Sequence, residues 1–413
     1  MTEQRLQLRW RPFRFVLPRP LITAHGALNE KRGWLLRLEA SDGGIGWGEA
    51  AALQWRPAPA APGMANPAAA ATGTAAGSSL PAPATVGVAG RSSGLPLPPA
   101  AAGSRAACGQ HHAALDPIAT ALAALGPSCE RRNLEALLPD LPGPLAFALG
   151  LALAELDGLG GPGQPWLAAP ASAQLLPAAA AMPAALQALL VTEADRVRSA
   201  PAAASGPAIA APVPLTVKWK VAAADDPCER ALLEWLLQQL PARARLRLDA
   251  NAGWDRATAA AWAGRLAAEP RLEWLEQPLA AADGEGLLAL AQSVPVALDE
   301  SLHHPDGSRR DDPAGTAGWP VQLPAWPGWL VRRPALEGDP RPLLAQLRQG
   351  RPRLMLSTAL ETGIGMRLLA HLAALQQRGP TPTAPGLAPG WRPSGGLFAT
   401  DPLQVWRAAA LPA

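Results

Sequence analysis

Five charged side chains recur at regular intervals in the second half of the chain: Lys218 and Lys220 in LTVKWK, Asp249 in LRLDAN, Glu276 in EWLEQP and Asp299 in VALDES. From Lys220 the steps are 29, 27 and 23 residues (220 to 249, 249 to 276, 276 to 299), each about one strand–helix unit. Three carboxylates gathered at one point repel each other unless a cation neutralises them. An all-oxygen set without His or Cys suits Mg²⁺, with Mn²⁺ as a substitute of similar preference. A lysine beside such an ion can act as a base if a second ammonium and the metal charge lower its pKa. Arginine cannot take that role, because it does not deprotonate at usable pH. The chain holds 36 basic residues, 33 of them Arg and 3 of them Lys, and two of the three lysines are this pair.

For these side chains to meet, each must end a strand of one parallel sheet. Short apolar runs at 173–176, 215–220, 246–250, 272–276, 296–299, 329–332 and 354–357 alternate with Ala/Leu-rich helical segments, and a last short strand is expected near Gly386. Eight strands over this span predict an α/β chain whose sheet closes as a (β/α) barrel. In a barrel the C-terminal strand ends share one face, so the acids converge there. Lys218 and Lys220 are two apart and project to the same side of their strand. Upstream, residues 33–39 and 45–49 read as a hairpin around the turn at 41–44. Residues 114–160 recover helical spacing, with Leu134, Leu137 and Leu138 expected on one face. The expected domains are 1–53 (first part of a capping domain), 114–168 (capping helices), 169–385 (barrel), and 386–413 (last barrel strand and return to the cap). Residues 54–113 are Ala, Pro, Gly and Ser with few large apolar side chains, and are expected to be a disordered insertion that can be deleted at little cost. A second Ala/Pro-rich insertion is expected at 198–212.

The set KWK, LDAN, EQP and LDES, in that order and spacing, resembles the enolase superfamily. The resemblance extends to GWLLRLEASDGGIGWGEAA near the N-terminus and SAQLLPA at the first barrel strand, and so spans most of the chain outside the two low-complexity stretches. It implies a modified TIM barrel with an α+β capping domain. Within the superfamily, LTVKWK, VRRPALEGDP and STALETGIG are most similar to the branch, in its cyanobacterial form, that dehydrates 2-succinyl-6-hydroxy-2,4-cyclohexadiene-1-carboxylate to 2-succinylbenzoate. That reaction runs through an enediolate, on the route to menaquinone or phylloquinone. The resemblance implies metal ligation by Asp249, Glu276 and Asp299, supported by Asn251 and Glu300. It implies that Lys220 abstracts the proton alpha to the carboxylate and returns it to the departing hydroxide, with Lys218 tuning it. Ser357, Thr358, Gly386, Leu387 and the loop at residues 21–26 would line the substrate pocket.

One position departs from the family pattern. Where the family has a lysine before the proline of the sixth strand, this chain has Arg333, in VRRP. Either Arg333 faces inward, or a one-residue shift puts Arg332 there. An arginine can face a conjugated ring as a cation but cannot take a proton from it. Two-base racemases and epimerases of N-succinylamino acids or dipeptides are therefore disfavoured, and a one-base dehydratase is favoured. The alternatives are a cycloisomerase, an acid-sugar dehydratase, or a non-catalytic binding protein that keeps the barrel.

Other features exclude rather than assign. Net charge is only +3, and the arginines are spread along the chain, which does not favour a nucleic-acid partner. No run reads as a membrane span, and the N-terminus lacks the apolar core of a secretory signal. Three scattered cysteines give neither a disulfide framework nor a zinc spacing. The expectation is a cytoplasmic enzyme acting on a small carboxylate, with monomer and homo-oligomer left open. His111-His112 and His303-His304 read as surface loops, GLGGPG at 158–163 as a linker, and GRSSG at 90–94 as a chance match.

Overall fold

Two sheets, one antiparallel and one parallel, organise the computed structural model, which describes residues 4–56, 116–199, 214–302 and 326–409. Most of both low-complexity stretches and both His-His pairs fall outside the described residues.

The antiparallel sheet is built from β1 (Arg5–Thr23), β2 (Gly26–Ala40), β3 (Ile45–Ala50) and β4 (Ser128–Glu130), in the order β3-β2-β1-β4. The faces of β1 serve two cores in succession. Leu6 and Leu8 pack with Leu36, Leu38 and the helix Gly143–Leu156. Further on, Phe13, Phe15 and Leu17 point the other way, into a core shared with Leu354, Leu356, Ile364 and Trp406. Glycines let the helix lie flat on β3: a Cβ on Gly46 would come within 2.0 Å of the Ala152 carbonyl oxygen, and one on Gly48 within 2.2 Å of that of Ala148. The helix Arg131–Leu137 buries Leu134, and Leu138 follows one turn later. Leu137 instead is 44% exposed, because the inward positions are four apart and the chain tightens into a 3₁₀ turn at Leu138–Asp140. Residues 54–56, at the start of the expected insertion, run alongside β2, where Arg56 and Ala27 exchange backbone hydrogen bonds of 2.8 and 2.9 Å.

The parallel sheet comprises β5 (Gln174–Leu176), β6 (Thr216–Lys220), β7 (Arg245–Asp249), β8 (Leu272–Glu276), β9 (Val296–Leu298), β10 (Trp329–Arg332) and β11 (Leu354–Leu356), paired in chain order. Residues 385–387 close the ring. Gly386 N donates to Leu356 O (2.8 Å) and Gly386 O accepts from Thr358 N (2.9 Å), while Ala173 N donates to Pro385 O (2.9 Å). The segment near Gly386 therefore lies between β11 and β5 as the eighth strand position, and the modified barrel with its α+β cap is the observed architecture. Helices Met182–Ser199, Asp226–Gln239, Arg256–Leu266, Gly284–Leu290, Arg341–Arg348 and Gly363–Gln377 follow the strands. The last helix, Pro402–Ala408, returns to the antiparallel sheet, with Trp406 edge-on to Trp47 at 5.6 Å.

Candidate active site

Strand alternation decides which way each side chain of β6 points. Val217 and Trp219 pack outward against the helices, so Thr216, Lys218 and Lys220 face the barrel interior. Register then aligns the charged residues: Lys220 is paired with Asp249, and Asp249 with Glu276, across three adjacent strands. Asp299 lies two residues beyond Ala297, the partner of Glu276, and shares its face. Below them Trp274, Ala297, Val331 and Met355 fill the barrel interior.

The result is a buried cluster in which both lysines contact acids and Asp299 lies close by. Lys218 Nζ donates to Glu276 Oε1 at 2.5 Å and lies 2.7 Å from Asp249 Oδ2. Lys220 Nζ donates to Asp249 Oδ2 (2.6 Å) and Asn251 Oδ1 (2.8 Å). One carboxylate oxygen from each of Asp249, Glu276 and Asp299 lies within 4.8 Å of the others, and all three residues are buried. This all-oxygen set, one acid from each of three successive strands, matches the donor chemistry of a hard dication. The acids are the residues that could hold one.

Arg333 is the inward residue. It grips Asp299 through Nε (2.8 Å to Oδ1) and Nη2, and donates from Nη1 to the Thr358 carbonyl at 3.0 Å. Arg332 turns away and donates from Nε to Glu337 Oε2 at 2.7 Å. The register is settled in favour of Arg333, whose charge lies against an acid of the cluster.

The two lysines differ electrostatically. Burial works against both ammonium forms. For Lys218 it is outweighed by Asp249 and Glu276, and the pKa is raised. For Lys220 burial prevails, aided by the positive charges of Lys218 and Arg333, and the pKa is lowered. Burial and Asp249 push the Glu276 carboxyl up. Asp249 resists its own burial because both lysines face it, and it is held well below the usual carboxylate range. Lys220 is thus the amine of the pair predisposed to give up its proton.

Of the remaining expected residues, Asn251 touches the cluster through Lys220 and Thr358 touches Arg333. Asn251 and Glu300 are joined by a 2.9 Å bond from Nδ2 to Oε1. Ser357 and Thr358 are buried after β11, and a Cβ on Gly386 would lie 3.2 Å from Ser357 Oγ. Leu387 N donates to Ser172 Oγ (3.0 Å). Thr358 and Leu387 also line a small cleft with Phe15, Met366, Trp391 and Phe398. One residue escaped sequence reasoning, and so did one contact made from the expected loop at residues 21–26. Gln277 accepts from the backbone N–H of both Asp299 and Ser301 at 3.0 Å and holds the loop after β9 in place; its position beside Glu276 in EQP was the available signal. His25 reaches Glu300 from the β1–β2 turn, at 3.1 Å, and no local pattern announces that contact.

Residues 214–311, which contain both lysines and all three acids, match the family model described as enolase C-terminal domain-like. Over this segment the chain is similar to the enolase superfamily. Within it, the o-succinylbenzoate synthase of Thermosynechococcus vestitus is 41% identical over 163 residues, 38% of this chain and 48% of that one. A muconate cycloisomerase of Rhodococcus opacus is 39% identical over 93 residues, 21% of this chain and 24% of that one. The crystal structure of o-succinylbenzoate synthase from Thermosynechococcus elongatus, complexed with Mg in the active site, superposes with a TM-score of 0.62 at 27% identity. That superposition covers 97% of this chain and 99% of that one. The chain spans about half the length of the matched synthases from Thermosynechococcus vestitus, Edwardsiella ictaluri and Pectobacterium atrosepticum. Among the described residues no helix is long and apolar enough to cross a membrane.

Proposed function

We propose that this chain is an o-succinylbenzoate synthase of the enolase superfamily, which dehydrates 2-succinyl-6-hydroxy-2,4-cyclohexadiene-1-carboxylate to 2-succinylbenzoate. The observation that carries the reading is the convergence of two lysines and three acids at one barrel mouth, with an arginine where a second base would stand. The similarity to synthases in sequence and in fold supports it.

Asp249, Glu276 and Asp299 would hold Mg²⁺, which when bound supplies positive charge against the substrate carboxylate as the adjacent carbon loses its proton. Lys220, as the free amine, takes the proton alpha to that carboxylate, and the C–H electron pair is drawn toward the carboxylate, to return as the new ring double bond when the hydroxyl leaves. The same residue, now an ammonium, returns the proton to the leaving hydroxyl. The C–O bond breaks with its electron pair and water departs, leaving an aromatic ring. Lys218 stays charged, held by Glu276 and Asp249, and keeps the proton affinity of Lys220 low. Arg333 adds a fixed charge that takes no proton. Ser357, Thr358, Gly386 and Leu387 border the ring and its side chain. A carboxylate of this size is the only partner the reading requires.

The test is loss of the cyclohexadiene absorbance on adding purified protein and Mg²⁺. Asp249→Asn, Glu276→Gln and Asp299→Asn should each abolish turnover and weaken Mg²⁺ binding measured by calorimetry, with unchanged circular dichroism. Turnover without a divalent ion, or in any of these variants, would remove the metal-site assignment.

A further inference from the structure

The turn between β1 and β2 reaches from the antiparallel sheet to the barrel mouth, and two contacts seat it there. Ala24 lies against Gly253: a Cβ at Gly253 would stand 3.0 Å from the Ala24 Cβ and 2.8 Å from that of Ala222, so the close approach requires glycine. Beside it His25 Nε2 lies 3.1 Å from Glu300 Oε1. The His25 backbone is fixed in turn by a 3.1 Å bond from its N–H to Thr23 Oγ1.

The contact with Glu300 leads inward. The same Oε1 accepts from Asn251 Nδ2 at 2.9 Å, and Asn251 Oδ1 accepts from Lys220 Nζ at 2.8 Å. The ends of this path fix the amide between them, because an ammonium needs an oxygen and a carboxylate needs an N–H. Asn251 is also held from behind. Its backbone is left-handed, with φ of 45°, a conformation Asn tolerates better than most residues, and its N–H donates to Asp249 Oδ1 at 3.1 Å.

An exposed His–Glu pair contributes little by itself, and these side chains are 38% and 23% exposed. The rest of the Glu300 carboxylate gives this pair more weight. Its other oxygen, Oε2, is buried without a hydrogen-bond partner among the described residues. His25 and Asn251 are thus its two side-chain hydrogen-bond partners. Removing His25 leaves Glu300 with Asn251 as its one side-chain donor among the described residues, so the carboxylate can turn about that bond and no longer fixes the amide.

We propose that His25 is a positioning residue: docked on Glu300, it sets the Asn251 carboxamide and through it the direction of the Lys220 amine. The inference rests on Lys220 being the base of the function proposed above. It makes the β1–β2 turn part of the proton-transfer apparatus as well as a wall of the mouth.

The scarcity of lysine supplies a direct assay, because trace acylation followed by peptide sequencing reads Lys218 and Lys220 separately. Lys218 lies on the same strand but has no bond to Asn251. His25→Ala should raise the Lys220-to-Lys218 labelling ratio by about tenfold, the scale of one charge-assisted hydrogen bond. His25→Gln, which keeps one N–H donor, should bring the ratio back toward wild type. In the dehydration assay His25→Ala should lower kcat about tenfold with a smaller change in KM. An equal rise in the labelling of both lysines would mean that the turn only covers the mouth, and would overturn the proposal. So would an unchanged ratio, or a changed ratio with kcat intact. If the wild type does not dehydrate the cyclohexadiene, the proposed function fails, while the labelling ratio still decides the role of His25.

Discussion

Lys220 and Arg333 both bring a positive charge to the acid cluster, but only one of them can give up a proton. Lys220→Arg keeps the charge and removes the base. The dehydration rate should fall by at least the roughly 10²–10⁴-fold that general-base catalysis contributes. Arg333→Lys also keeps the charge, but a lysine cannot reproduce the fork that grips Asp299 while bonding the Thr358 carbonyl. Dehydration should stay measurable, lowered about tenfold, the scale of one charge-assisted hydrogen bond. The variant also regains a titratable group at this position. Incubated in D₂O with each enantiomer of an N-succinylamino acid, it should exchange the alpha proton of both, whereas the wild type should exchange only one. Two-sided exchange by the wild type, followed by NMR, would reveal another base and end the one-base argument.

At the scale of elements, much of the barrel was legible and the contacts between its loops were not. The apolar runs ending in charge marked β6 to β9, because a strand buried on both faces admits charge only where its side chains meet counter-charges, as Lys218 and Lys220 do. The cap was harder to read. In β1 the alternation of Leu6 and Leu8 gives way to that of Phe13, Phe15 and Leu17, so that one strand serves opposite cores. A period of two shows that a face is buried but not against what. The link from His25 to Glu300 spans 275 residues and leaves no local trace. Glycines show how packing rather than residue type sets the outcome. Gly48→Ala drives a methyl into the Ala148 carbonyl and should cost about 3 kcal/mol or more, at the top of the overpacking range. Gly264→Ala meets nothing within 4 Å in the helix Arg256–Leu266 and should stabilise by about 0.5–1 kcal/mol through helix propensity. Urea unfolding of the two variants should move in opposite directions.

At the scale of the whole molecule, a largely covered carboxyl–guanidinium contact joins cap and barrel, and its titration should make stability depend on pH. Glu155, near the end of the helix Gly143–Leu156, accepts from the Trp47 backbone N–H at 3.0 Å and lies 2.5 Å from Nη2 of Arg367 on the helix Gly363–Gln377. Burial raises its carboxyl to about 7, although Arg367 and the Trp47 N–H pull the other way. In the unfolded chain the same group titrates near its ordinary value of 4.5. Between these two values the folded protein binds the extra proton, so the unfolding free energy falls as pH rises through that window and levels off above it. A shift of this size corresponds to about 3 kcal/mol at most. Glu155→Gln keeps an acceptor for Trp47 and removes the titration. Its stability relative to wild type should therefore improve steadily from pH 4.5 to pH 7 and then hold constant. Urea unfolding of both proteins across that range measures the difference directly. A difference independent of pH would mean that Arg367 keeps Glu155 ionised throughout, and that the junction of cap and barrel is a fixed ion pair.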